Sequence, residues 1–449
     1  MNPTHDKTSK KSHNVSAIFP SQHLDYVSAI AFDHYGRRIA TCSADRQLHI
    51  WDLDDQGQWI LGNTITAAHY TGVAGVSWAH PEFGQLLVSC GYDGVAIVWE
   101  ERTEESIASS SSAAAAAADG ASSGTGIAAI NNTSTTPASM LYHSRWVERA
   151  RMTEARRALS CVKFAPRQFG LLFATGSADG FVRCYEAVDA MNMSQWLLKN
   201  SIEVIEETST MPSGIAHPWN KNTLPNPTGG NTGNTINNMN AAAALGLELG
   251  VTCLDWSTGR FEGPALVVGA ALGSVHIYKY SDTSRTWILY LSLESHISTQ
   301  GLRRGVLDVA WAPNVGRSFH LIASCGRDGI LRVSKLKRIR SNVAAATTST
   351  TTDTAMDTST SNNAQASLSA GYDFDSSQML DTQACEIWRV AWNITGTVLA
   401  GSGDFGVVTL WKADHKNEFK CVSEIKGEVN TTEGGLAGAK SSMLNRASS

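Results

Sequence analysis

The feature that most constrains this chain is a block that returns six times. In each copy an aromatic residue closes one short apolar run, at Phe32, Trp78, Phe164, Trp256, Trp311 and Trp392. A second marker closes a later run, at Trp51, Trp99, Tyr185, Tyr278, Ser334 and Trp411, giving separations of 19, 21, 21, 22, 23 and 19 residues. Between the markers, runs of period-two alternation are joined by turns such as Gly91-Tyr92-Asp93-Gly94, a short-range hairpin signal. Such near-constant spacing means one supersecondary unit repeated, and a unit of this kind hides its apolar faces only by stacking on its neighbours. A β-sandwich would not repeat this closely.

A fourth run follows in five copies, around Trp59-Ile60, Trp146-Val147, Trp196-Leu197, Trp287 to Tyr290 and Phe419 to Val422. Four strands per unit, the Trp51-Asp52 ending and a basic period of about 45 residues predict an all-β fold, a six-bladed WD40 β-propeller. Three stretches stretch the period: a Ser/Ala run at 103–140, an Asn/Thr/Gly/Pro-rich run at 205–245 and a Thr/Ser/Ala run at 341–370. They are too poor in apolar surface to offset the entropy of ordering and are expected to be disordered insertions. Longer loops of this kind cost little more to close. The remainder, 21–425, reads as a single propeller between disordered tails at 1–20 and 426–449.

A formal net charge of -5 gives no basic footprint for nucleic acid. The N-terminal residues carry no apolar signal core. The longest apolar or small run, Pro264 to Gly273, is about half of the roughly 18–20 residues that span a bilayer. With no prenylation box in Asn445 to Ser449, an intracellular protein without membrane insertion is expected.

Eight cysteines suggest a disulfide or metal set until they are placed on the repeat. Cys42, Cys90 and Cys325 each lie three residues before a turn aspartate, at Asp45, Asp93 and Asp328. Cys161 and Cys253 each lie three before an anchor aromatic, and Cys184 directly precedes Tyr185. Those are strand positions suited to small buried hydrophobes, and no CxxC pair occurs. No metal site and no cofactor are expected.

Module two carries His69, Ser89, Asp93 and Trp99, which could be read as a Ser/His/Asp triad. Module one repeats the set as His23, Thr41, Asp45 and Trp51, and a nucleophile has no reason to recur. The set is read instead as a buried hydrogen-bond tetrad that fastens a blade. Modules four and six replace the turn aspartate by Leu272 and Phe405, and module five replaces the strand Trp by Ser334. Those blades are expected to rely on apolar packing. No P-loop or HExxH motif occurs, and no catalytic residue is proposed. The basic run Lys335 to Arg340, with Lys7 to Lys11, is read as a solvated outer strand and a charged tail.

Several segments are more individual than the repeat. Phe32 to Asp52, Trp78 to Cys90 (WAHPEFGQLLVSC), Tyr185 to Trp196 (YEAVDAMNMSQW), Ala312 to Ala323 (APNVGRSFHLIA) and Trp388 to Ala400 (WRVAWNITGTVLA) resemble the Seh-type WD-repeat nucleoporins. These are small subunits of the Y-shaped outer-ring subcomplex of the nuclear pore. The resemblance covers roughly 20–100, 145–200 and 250–425. It implies an open propeller whose ring is completed by a blade donated in trans by an α-solenoid nucleoporin. It also implies a scaffold at the nuclear envelope and a second role in the GATOR (SEA) complex, signalling to TORC at the lysosome or vacuole periphery. The related Sec-thirteen-type coat subunit shares WAHP but has no close counterpart of MNMSQW or GRSFH. The lips of the opening are expected on the first strands of modules one and six, at Val27, Ile30, Phe32, Trp388, Val390 and Trp392. A different class, a propeller reading peptides at its channel mouth, would use Arg46, Arg327 and Arg389, and no aromatic set accompanies these in the sequence.

Overall fold

The computed structural model describes residues 11–14, 19–103, 144–189, 192–204, 250–259, 263–293, 296, 305–338, 372–380, 382, 386–403 and 406–426. The insertions expected at 103–140, 205–245 and 341–370 and the tail at 426–449 fall outside these residues, apart from Thr103 and Lys426, which end strands. A first strand, β1 (Lys11–Asn14), precedes six four-stranded meanders. Blade one is β2 (Val27–Phe32), β3 (Arg38–Ser43), β4 (Leu48–Leu53) and β5 (Trp59–Ile65). Blade two is β6 (Val73–Trp78), β7 (Leu86–Gly91), β8 (Ala96–Thr103) and β9 (Ser144–Met152). Blade three is β10 (Leu159–Phe164), β11 (Leu172–Ser177), β12 (Phe181–Asp189) and β13 (Asn192–Glu203). Blade four is β14 (Val251–Trp256), β15 (Ala265–Ala270), β16 (Val275–Ser281) and β17 (Thr286–Leu293). Blade five is β18 (Val306–Trp311), β19 (Phe319–Gly326), β20 (Leu331–Arg338) and β21 (Tyr372–Leu380). Blade six is β22 (Ile387–Trp392), β23 (Val398–Gly403), β24 (Val407–Ala413) and β25 (Phe419–Lys426).

The chain is thus a six-bladed β-propeller. Two features depart from the sequence reading. Blade five has a fourth strand, β21, because the 341–370 insertion separates β20 from its partner by sequence but not by register. And β1 lies inside the expected disordered tail, paired in parallel with the outermost strand of blade six, Lys11 opposite Ser423.

The first strand of every blade carries a one-residue irregularity, which skips Ser28, Ala74, Ser160, Thr252, Leu307 and Trp388. The residue after the skip pairs across the sheet with a fixed position on the second strand. The six pairs are Ala29–Cys42, Gly75–Cys90, Cys161–Gly176, Cys253–Gly269, Asp308–Cys325 and Arg389–Ser402. The two cysteine registers seen in the sequence are therefore the two halves of one cross-strand pair. Each of the first five blades has a single thiol there, on one side or the other. Volume explains the alternation: a Cβ on Gly176 would stand 2.6 Å from Cys161 Sγ and 2.5 Å from Val251 Cγ1 of the next blade. Burial pushes the Cys42 thiol up to about 12 and Cys161 to about 11, so both stay protonated at neutral pH. Among the described residues no group of three His, Cys, Asp or Glu is placed to hold a metal.

Core side chains gather in the seams between blades, with a cluster for each neighbouring pair from one–two to five–six and a second, smaller one between blades two and three. Polar locks reinforce them. The indole N–H of Trp78 donates to the Ala31 carbonyl of the preceding blade, Trp256 to Lys163 and Trp392 to Ala310, each at 3.1 Å. In every case the acceptor is the residue just before the preceding blade's anchor aromatic.

The thiol alternation yields a compensation test. Gly176→Cys alone should overpack the blade three–four seam and cost about 1–3 kcal/mol. Cys161→Gly combined with Gly176→Cys moves the sulfur across the pair and should recover most of that loss. Denaturant midpoints of the three variants measure the coupling.

Candidate protein-binding interface

The polar residues singled out in the sequence meet as hydrogen-bonded chains. In blade one His23 Nδ1 lies 2.9 Å from Asp45 Oδ2 and Nε2 lies 2.9 Å from Thr41 Oγ1, while the Trp51 indole donates to Thr41 Oγ1 at 3.1 Å. Blade two has His69 3.1 Å from Asp93 and 2.8 Å from Ser89, with Trp99 donating to Ser89 at 2.9 Å. A carboxylate only accepts, so Nδ1 carries the proton and Nε2 accepts from the hydroxyl, which in turn accepts from the indole. Each aspartate also caps backbone N–H groups, Leu24 and Gln47 in one case and Tyr70 and Val95 in the other. The chain ties the loop entering the first strand to the turn between the second and third.

Blade five corrects the sequence reading. Although Ser334 replaces the Trp, His296 stands 3.0 Å from Asp328 and 2.9 Å from Ser324, so the network persists without its indole. The signal was present: Ser324-Cys325-Gly326-Arg327-Asp328-Gly329 copies Ser89-Cys90-Gly91-Tyr92-Asp93-Gly94, but His296 precedes Val306 by ten residues where His69 precedes Val73 by four. Blade three keeps Asp179 and substitutes a buried bidentate pair with Arg183, at 2.7 and 3.2 Å. Blade four is apolar here, with Leu272 and Val268 buried. In blade six Gly401 leaves room for the Trp411 ring, 2.9 Å from where a Cβ would be. Asp404 and Phe405 lie outside the described residues.

The ring is open between blades six and one, and comparing equivalent positions shows where. The first-strand residue two before the anchor is Val76, Val162, Leu254, Val309 or Val390 in blades two to six, exposed by 1–7 %, whereas Ile30 of blade one is 61 % exposed. Phe32 is 58 % exposed. Across the gap Ala391 is exposed, and Ala400, Val408 and Leu410 are half-buried where Ala40, Leu48 and Ile50 of blade one are fully covered by blade two. Across the gap Arg389 Nη2 donates to the Ser28 carbonyl at 3.3 Å.

The expected lips divide. Val27 is half-buried, and Ile30, Phe32 and Trp388 are exposed. Val390 and Trp392 face the other way: Val390 is 7 % exposed within the blade five–six cluster, and Trp392 donates to Ala310 of blade five. Strand alternation is the reason, since it places Arg389 and Ala391 on the opposite face. Tyr92, in the turn between the second and third strands of blade two, is hydrogen-bonded to Tyr26, and burial, then Tyr26, pushes its phenol up to about 12 while Arg389 opposes. Lys335 of the basic run pairs with Asp375 at 3.1 Å.

The WD domain, G-beta repeat model matches residues 14–52 and 62–100. Nucleoporin SEH1-A of Xenopus laevis is 31% identical over 424 residues, covering 93% of this chain and 89% of that protein. Nucleoporin SEH1 of Homo sapiens is 31% identical over 428 residues, covering 94% and 91%. The Danio rerio nucleoporin SEH1 is 30% identical over 428 residues, covering 94% and 90%.

Burial lowers the His69 pKa, more than Asp93 raises it, and burial and then His23 lower that of His49, which stacks on His23 at 3.8 Å. The unfolded chain therefore binds more protons, so this stabilisation is complete above about pH 6.5 and is lost as pH falls toward the folded values. His69→Ala should cost about 1–3 kcal/mol at pH 7.5 and flatten the fall of the melting midpoint between pH 7.5 and 5.5. His296→Ala should cost a similar amount despite the missing indole. Thermal unfolding across pH measures both.

Proposed function

Since the chain belongs to the SEH1 nucleoporin family of WD-repeat proteins, we propose that it is a non-catalytic scaffold subunit of the nuclear pore outer ring. An α-solenoid nucleoporin fills its open seam with a blade of its own. The observation that carries this reading is the exposure of Ile30, opposite the half-covered face of blade six, at a position that every other seam buries, with Phe32 exposed beside it where the other anchor aromatics are buried or half-buried. Exposed strand faces and edges of this kind are normally covered, and strand addition by a partner covers them.

The gap also specifies what fits. The Ala391 carbonyl occupies the place of Ala31, Lys163 and Ala310, each of which accepts an indole N–H from the following blade. Arg389 occupies the place of Asp308, whose carboxylate caps the Val390 N–H of the following blade at 3.0 Å. The entering strand therefore brings an N–H donor for Ala391 and a carbonyl or carboxylate acceptor for Arg389. Work at the nuclear envelope in pore assembly and nucleocytoplasmic transport follows from this role, and membership in a GATOR-type complex uses the same seam.

Co-expression with the α-solenoid nucleoporin of the same organism should give a one-to-one complex by light scattering. Ile30→Asp should weaken it at least tenfold and leave the melting midpoint of the isolated chain unchanged, whereas Val188→Asp, exposed on blade three, should bind normally. No complex, or equal binding by both variants, sinks the reading.

A further inference from the structure

Trp51 should be one of the most exposed side chains in the molecule. Its counterparts Trp99 and Trp411 are covered by side chains of the preceding blade, in the one–two and five–six seams. No blade precedes blade one, yet Trp51 is 2 % exposed. Its cover comes from the N-terminal segment: the Phe19 ring lies edge-on to Trp51 with centroids 5.1 Å apart, and 6.4 Å from Trp59 of β5. Two further contacts seat this stretch. His49 Nδ1 donates to the Ser21 carbonyl at 3.1 Å, and His23 closes the blade-one tetrad.

The same segment also touches the other wall. Lys11–Asn14 adds a fifth strand, in parallel, to the outer edge of blade six, in register from Lys11–Ser423 to Asn14–Lys426. Only residues 15–18 separate Asn14 from Phe19, and five extended steps reach about 17 Å at most. The chain is thus fixed to blade six at one end and to blade one at the other, on the outer side of the seam, while Ile30 and Phe32 stay exposed farther along the first strand.

We propose that the N-terminal segment is an intramolecular strap that holds blades six and one together across the outer side of the open seam. Its docking surfaces are the β25 edge and the Trp51–Trp59 face. A strand edge supplies unpaired backbone groups that pair with any extended segment, and Phe19 supplies the apolar anchor a seventh blade would otherwise bring. The strap leaves the inner part of the seam free, so it goes beyond the partner reading and stands or falls without a partner.

Hydrogen exchange on the isolated chain tests it. Deleting residues 1–14 should speed exchange of the 419–426 amides at least tenfold, with the β11 and β15 amides of blades three and four as unchanged references. Phe19→Ala, in the full-length chain, should speed exchange in β4 and β5 at least tenfold by the same internal comparison. Unchanged exchange at both places, or acceleration spread equally over all blades, overturns the strap.

Discussion

Everything in this structure depends on the fact that a four-stranded blade has two apolar faces and no means of covering either by itself. The unit of stability is the seam, not the sheet. Five seams are built alike: a cluster of aliphatic and aromatic side chains, tightened where an indole N–H crosses to a fixed carbonyl. Complete burial of one Ile or Phe side chain contributes about 1.5–3 kcal/mol. Leaving Ile30 and Phe32 largely in water is therefore a deficit comparable with losing a fastener, and it is concentrated at one place in the ring.

Polar groups enter this scheme as fasteners of turns. The His–Asp–hydroxyl chain is whole in blades one and two, lacks only its indole in blade five, is exchanged for the Arg183–Asp179 pair in blade three, and is replaced by apolar contacts in blade four. What stays constant in blades one, two, three and five is an aspartate that caps the backbone of its own turn. Partners of that aspartate can be traded because several donors satisfy a carboxylate, whereas leaving it unpaired in the interior would be costly.

Repeat spacing made the blade number and the first three strands of each blade legible, because period-two alternation and Asp-centred turns are local signals. Contacts that skip across an insertion were not legible. His296 sits farther from Ser324 than His69 from Ser89, and β21 lies beyond the 341–370 insertion, so the template fitted to compact modules passed over both. Strand parity was the other blind spot. Val390 and Trp392 look like lip residues by sequence neighbourhood, but a one-residue skip at Trp388 decides which face each side chain takes.

The two walls of the gap reach the same end by different means. Blade one has lost the neighbour that would cover Trp51, and its tetrad is complete, with an aspartate held by His23 and by two backbone N–H groups. Blade six has no serine or threonine at the tetrad position, only Gly401, and it is held from behind: Ile387, Val390, Leu399, Trp411 and Phe419 all lie in the cluster shared with blade five. Internal hydrogen bonds fix a blade's shape without needing a neighbour, while apolar packing fixes it only where a neighbour exists. A propeller that leaves one seam unfilled can therefore keep both walls in shape, provided the leading wall carries the polar network and the trailing wall carries the packed face.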